Sequence, residues 1–139
     1  MLEITEDYVS FETAKLLKNK GFDGECRTYY KVFLKDRIAA IYHSSENRGI
    51  SEDDPNEILC PTIQMVMKWL RIEHNIHIEP HIVKTKCSYG YMPNYVNLKE
   101  LKQHFPFDEV DFSDVDKYVC ITYDKACEAA IKYCCENLI

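Results

Sequence analysis

Residues 61–75, Pro-Thr-Ile-Gln-Met-Val-Met-Lys-Trp-Leu-Arg-Ile-Glu-His-Asn, run without a break into Ile-His-Ile-Glu-Pro-His-Ile at 76–82. Ile63, Val66, Met67 and Leu70 recur at three- and four-residue intervals, while Met65, Trp69 and Ile72 widen the stripe until only Gln64, Lys68, Arg71 and Glu73 face water. A helix apolar over so much of its girth belongs in a core. Beyond it Ile76, Ile78 and Ile82 alternate with His77, Glu79 and His81, the period of a strand with one face buried and the other wet or covered by something polar. This switch of period defines a packing unit, a core helix feeding a half-buried strand, around which the remaining elements must be arranged.

Before that unit, Ser10 is a natural N-cap for a helix over 11–20, with Glu12 in its first turn and Phe11, Ala14 and Leu17 on one face. Gly21 suits the left-handed position past its end, and Phe22 is placed to touch Leu17. Tyr, Val, Phe and Ile favour strand over 27–42, and Lys35-Asp36-Arg37 supplies the turn of a hairpin. Residues 43–59 are polar and acidic and hold Gly49 and Pro55, which predicts an exposed loop. The run Glu52, Asp53, Asp54, Glu57 lacks the EF-hand placement of glycine and terminal glutamate, so a solvated loop is expected there.

After the organising unit, 82–87 prolongs the strand and 88–98 returns beside it, with Gly90 and Pro93 marking a turn or bulge. Residues 99–116 read as a connection with aromatic anchors, 117–121 as a short last strand, and 122–137 as a helix capped by Thr122, with Tyr123, Cys127, Ala130, Cys134 and Leu138 as its buried stripe and Ile131 beside it. The order predicts one α+β domain over 1–139: two layers, a mostly antiparallel sheet of four to five strands, helices packed on one face.

A length of 139 residues suits one ordinary domain. The net charge of −6 and the scattered lysines and arginines argue against a nucleic-acid partner. No apolar run is long enough to cross a bilayer, and the first residues are acidic where a secretory signal is basic, so a soluble cytoplasmic protein without a membrane partner is expected. Cysteines stand at 26, 60, 87, 120, 127, 134 and 135, with no Cys-x-x-Cys pair, which predicts free thiols used as small hydrophobes.

His77, Glu79 and His81 are the one constellation with metal-ligand chemistry: at alternate positions of a strand they emerge from one face, and His74 stands near enough to join them. Cys60, just before the helix that begins near Pro61, has the best electrostatic position among the thiols for a nucleophile. Dinucleotide, Walker and serine-hydrolase motifs are absent. An enzyme would need a concave pocket bringing His74, His77 or His81 to an acidic partner.

Residues 10–18 with 20–22, 61–71 with 74–78, and 123–139 together resemble a family of small uncharacterised proteins from Bacteroides-type gut bacteria and their phages and prophages. The resemblance implies a bacterial or phage cytosolic protein and carries no active-site residues or cofactor. The preferred reading is a non-enzymatic protein that works through contacts with another protein or its own copy. A two-fold dimer through an exposed edge at 91–98, beside Tyr91 and Tyr95, is the form self-association would take. The alternatives are a metal-binding protein or metal-dependent enzyme using His77, Glu79 and His81, and a cysteine-dependent enzyme using Cys60.

Overall fold

The computed structural model describes residues 5–33, 37–48, 54–107 and 109–139. It is an α+β fold in which helices pack against three small antiparallel sheets. Its contacts gather into two compact units, Met1–Val66 and Met67–Ile139.

In the first unit, α1 (Phe11–Asn19) is started by Ser10, whose hydroxyl accepts from the Thr13 amide, and stopped at Gly21, where φ is +80°. The Phe22 amide then donates to the Leu17 carbonyl at 2.9 Å, and both side chains are buried, the Schellman ending that the sequence predicts. Strands β1 (Cys26–Phe33), β2 (Arg37–Arg48) and β3 (Glu57–Leu59) form a sheet of order β2-β1-β3, with Tyr29 facing Tyr42 on one side and Leu59 on the other. The expected hairpin is present; Lys35 and Asp36 of its turn lie outside the described residues. The loop expected over 43–59 is shorter: 43–48 continue β2 and 57–59 form β3, while 49–53 lie outside the described residues. His43 pairs with Thr28 and Arg48 with Cys26 across a register shift, and 57–59 pair with 29–31, so pairing with β1 at these points outweighs the loop-like composition. Helix α1 packs on β3.

Helix α2 (Ile63–His74) begins at the end of the first unit and runs into the second. Thr62 caps it, accepting from the Met65 amide at 3.2 Å, and Ile63, Val66, Met67 and Leu70 are buried as their spacing requires. Ile72 is a correction: it is exposed, so the buried stripe is narrower than the sequence suggests.

In the second unit, β4 (Ile76–Ile78), β7 (Tyr95–Asn97) and β8 (Lys102–His104) form one sheet of order β4-β7-β8, and β5 (His81–Lys84) with β6 (Tyr89–Met92) forms a separate hairpin. One sheet of four to five strands is therefore replaced by three smaller ones. The strand read over 76–82 breaks at Glu79-Pro80, because proline has no N–H to continue a ladder. The expected final strand at 117–121 is also absent: 112–117 form a 3-10 helix, and Cys120 makes only an isolated bridge to Tyr91. Helix α3 (Tyr123–Asn137) is capped by Thr122 and buries Ala126, Cys127, Ala130, Ile131, Cys134 and Cys135 against β4 and β6; Tyr123 and Leu138, at its ends, are exposed.

Candidate functional site

The pleat of the β4-β7-β8 sheet sorts the candidate residues. Ile76, Ile78 and Tyr95 are buried on one face. Tyr95 is stacked between His104, with ring centroids 5.2 Å apart, and Tyr133 of α3, at 5.9 Å. Burial raises the pKa of the Tyr95 hydroxyl, with Tyr133 and Cys134 adding to the effect, so it stays a neutral phenol. At the end of this layer His74, Tyr95, Glu100, His104 and Leu138 line a cavity of about 390 Å³. Histidine and carboxylate therefore do share a concavity here, but His104 is stacked on Tyr95 and His74 sits edge-on to Trp69 at 4.6 Å, so both rings have packing roles.

The opposite face is polar. His77 pairs with Val96, and Val96 with Gln103, across the three strands. Past the end of β4 the Glu79 amide donates to the Asn94 carbonyl at 3.0 Å, which continues the same register. The sheet thus collects His77, Glu79, Asn94 and Gln103 on one side. His77 Nε2 lies 3.8 Å from Glu79 Oε2, with both side chains partly exposed, an ion pair worth at most about 1 kcal/mol when the ring is protonated.

His81 meets the cluster through amides and not through the other two candidates. The Gln103 side-chain nitrogen is 2.8 Å from its Nε2, and that of Asn94 is 3.4 Å away. The same Gln103 nitrogen is 3.5 Å from His81 Nδ1, so the ring is held by amide side chains at both of its nitrogens. Among the described residues no group of three His, Cys, Asp or Glu side chains is arranged to hold a metal ion. The strand spacing that places the three residues on one face ends at Pro80, which is why the third member diverges.

Two atoms in this cluster are buried without a hydrogen-bond partner among the described residues: His77 Nδ1 and Asn94 Oδ1. Each carries a desolvation cost of about 1–3 kcal/mol that a bound water or polar ligand group would relieve. Asn94 and Gln103 carried no sequence signal; only strand pairing brings them to His81.

Cys60 is fully buried. Its thiol lies 3.6 Å from the Val9 carbonyl, which it serves as donor, and the positive end of α2 is already capped by Thr62. A contact to a carbonyl oxygen offers a thiolate no stabilisation, which weakens the electrostatic argument for Cys60 as a nucleophile. All seven cysteines are free, as expected, and Cys26, Cys127, Cys134 and Cys135 are buried like small apolar residues.

Comparison of the chain with protein-family models, curated proteins and solved structures gave no match.

Proposed function

We propose that the protein works by contact with another protein and that the β5–β6 hairpin is the contact surface. One observation carries the reading: Ile82 is 70% exposed and Tyr89 62% exposed on a two-stranded hairpin whose strand β5, among the described residues, pairs only with β6. Ile82 faces Tyr91 across the ladder, and the Tyr91 ring touches those of Tyr89 and Tyr123 at 6.2 and 5.8 Å. Ile121, 82% exposed, follows the Cys120 bridge to Tyr91. Rigid tyrosines beside an open strand edge are what recognition by strand addition uses.

The occupant that fits is an extended acidic segment of a partner. Residues 80–92 contain Lys84 and Lys86 and no carboxylate of their own in a chain of net charge −6, while Asp114 and Asp116 line the concavity beside both lysines and the Asp116 carboxylate accepts from the Lys86 amide at 3.4 Å. A symmetric copy would set like charges against each other. The edge expected for a dimer, 91–98, is not available: β6 is paired with β5 and bridged by Cys120, and β7 is the middle strand of its sheet.

The reading further places the protein in the cytoplasm of a bacterial or phage-infected cell, an assignment that rests on the sequence resemblance. Among the described residues no helix is long and apolar enough to cross a membrane. Fluorescence anisotropy against a panel of extended peptides alternating Asp or Glu with Val or Ile tests the surface. Binding that weakens at least tenfold in Ile82→Glu and in Lys84→Glu supports it. Failure of every acidic peptide, or binding indifferent to both substitutions, overturns it; a doubled mass in light scattering that Ile82→Glu abolishes would replace the partner by a second copy.

A further inference from the structure

Strand pairing in the first unit brings together two thiols that stand far apart in the sequence. The Cys60 amide donates to the Thr28 carbonyl at 2.9 Å, extending the Tyr29–Leu59 register by one pair. Cys26 stands two residues from Thr28, beyond the last β1–β3 ladder pair and where the β1–β2 register shifts, and like Thr28 it is turned into the core beside Cys60. Both are buried. The Cys26 thiol lies 3.3 Å from the Thr28 carbonyl and also hydrogen-bonds the Cys60 backbone. A cavity of about 220 Å³ is lined by both cysteines and by Met65.

We propose that Cys26 and Cys60, with the Met65 thioether as a third, weaker ligand, form a binding site for a soft monovalent cation of the Cu(I) type. Thiolate and thioether sulfur select such ions over hard cations, and two thiolates suffice for linear coordination. Cys26 and Cys60 are both free thiols in this fold, and an ion held by two metal–sulfur bonds of about 2.3 Å bridges a wider gap than the S–S bond of about 2.0 Å. On binding, two S–H bonds break, two protons pass to solvent and two S–Cu bonds form; no electron is transferred. Glu6 and Glu25, on the same cavity, favour approach of a cation, and Arg27 there offsets the single negative charge of the bis-thiolate complex. The site is independent of the hairpin's role.

The test is anaerobic competition for Cu(I) between the full chain and a chromophoric chelator, with the exposed Cys87 and half-buried Cys120 replaced by serine. One equivalent should bind per chain. Cys26→Ser and Cys60→Ser should each weaken it at least a hundredfold, Met65→Leu no more than about tenfold, and Cys134→Ser not at all. In the unsubstituted protein, one equivalent of Cu(I) should slow alkylation of Cys26 and Cys60 at least tenfold below the already slow rate of the same buried thiols without the metal, and leave the rate at exposed Cys87 unchanged, as mapped by peptide mass spectrometry; this readout needs no variant to fold. Failure to compete with the chelator, shielding of Cys134 in place of Cys26, or a Cys26–Cys60 disulfide formed in air and indifferent to Cu(I) would overturn the proposal.

Discussion

β4 and β5 belong to one alternating run of isoleucine and polar residues, broken only at Glu79-Pro80, yet they meet opposite fates. Ile76 and Ile78 are 5% and 1% exposed, while Ile82 is 70% exposed. The first strand enters a three-stranded sheet covered by α3; the second enters a hairpin with an open edge. Alternation specifies that a strand has two unlike faces, but what covers a face is decided by the sheet the strand joins. At Pro80 the chain changes sheets, and the apolar face becomes a surface.

The largest effect that can break this comparison is a pair of truncations. Ile78→Ala should cost about 3–4 kcal/mol in urea unfolding, from lost burial and the cavity left behind. Ile82→Ala should stay within about 0.5 kcal/mol, as an exposed position does. Equal losses would mean that the hairpin face is covered within the chain, and the proposed contact surface would go with it.

Gly90 tests how the hairpin is seated. A Cβ there would collide with the Val119 side chain and lie 2.8 Å from the Cys120 carbonyl, where the backbones of Tyr91 and Cys120 exchange hydrogen bonds of 2.9 and 2.8 Å. Gly90→Ala should therefore cost about 2 kcal/mol by overpacking. It should also expose Tyr91 to quenchers, because the bridge must open to admit the methyl group. A neutral substitution would show that the hairpin moves freely from this bridge.

Much of this contrast was legible beforehand and part was not. Caps, the Schellman ending of α1 and the buried stripes of α2 and α3 are local: one or two turns contain the donor, the acceptor and the apolar spacing that fix them. Pairing across long separations is not local. Nothing near Cys26 announces Cys60, and nothing near His81 announces Asn94 and Gln103. His77 and Glu79 could be placed together from their spacing alone; His81 could not be excluded until the break at Pro80 was seen. Residues 43–48 misled because composition reports what a segment tolerates, and its partner strand β1 decides what it becomes.

On the covered side of the sheet, Cys134 gives an effect that depends on pH. Burial, with Cys135 adding to it, pushes its thiol from 9.0 up to about 12. The unfolded chain therefore releases this proton at a lower pH than the folded one, and the stabilisation is full below about pH 9 and is lost as pH rises toward 12. Cys134→Ala should remove this contribution, so the difference in stability between the two proteins should shrink by on the order of 2 kcal/mol by about pH 11. A difference constant from pH 8 to 11 would place Cys134 in contact with water and loosen the cover that α3 provides.

The smallest expected effect lies at the far end of the same sheet, in the turn between β7 and β8. Asn97 builds this turn: its side-chain oxygen accepts from the amides of Lys99 and Glu100 at 3.0 and 3.3 Å, and its carbonyl accepts from Leu101 at 2.7 Å. Closing the loop this way forces Leu101 to φ of 55°, a conformation that costs a side-chain-bearing residue about 1–2 kcal/mol. Leu101 is 79% exposed, so little burial is gained in exchange. Glycine would lose that strain and keep the Asn97 hydrogen bond, but would add about 0.4–1 kcal/mol of unfolded-state entropy to be overcome. The net expectation for Leu101→Gly is stabilisation of about 0.5–1 kcal/mol in urea unfolding, with Leu101→Asn in between. Destabilisation by glycine would mean that the leucine is held by contacts that its exposure does not reveal. It would then join Ile82 as an apolar residue placed outward for use, and the contrast between a covered sheet and an open hairpin would have to be redrawn at this turn.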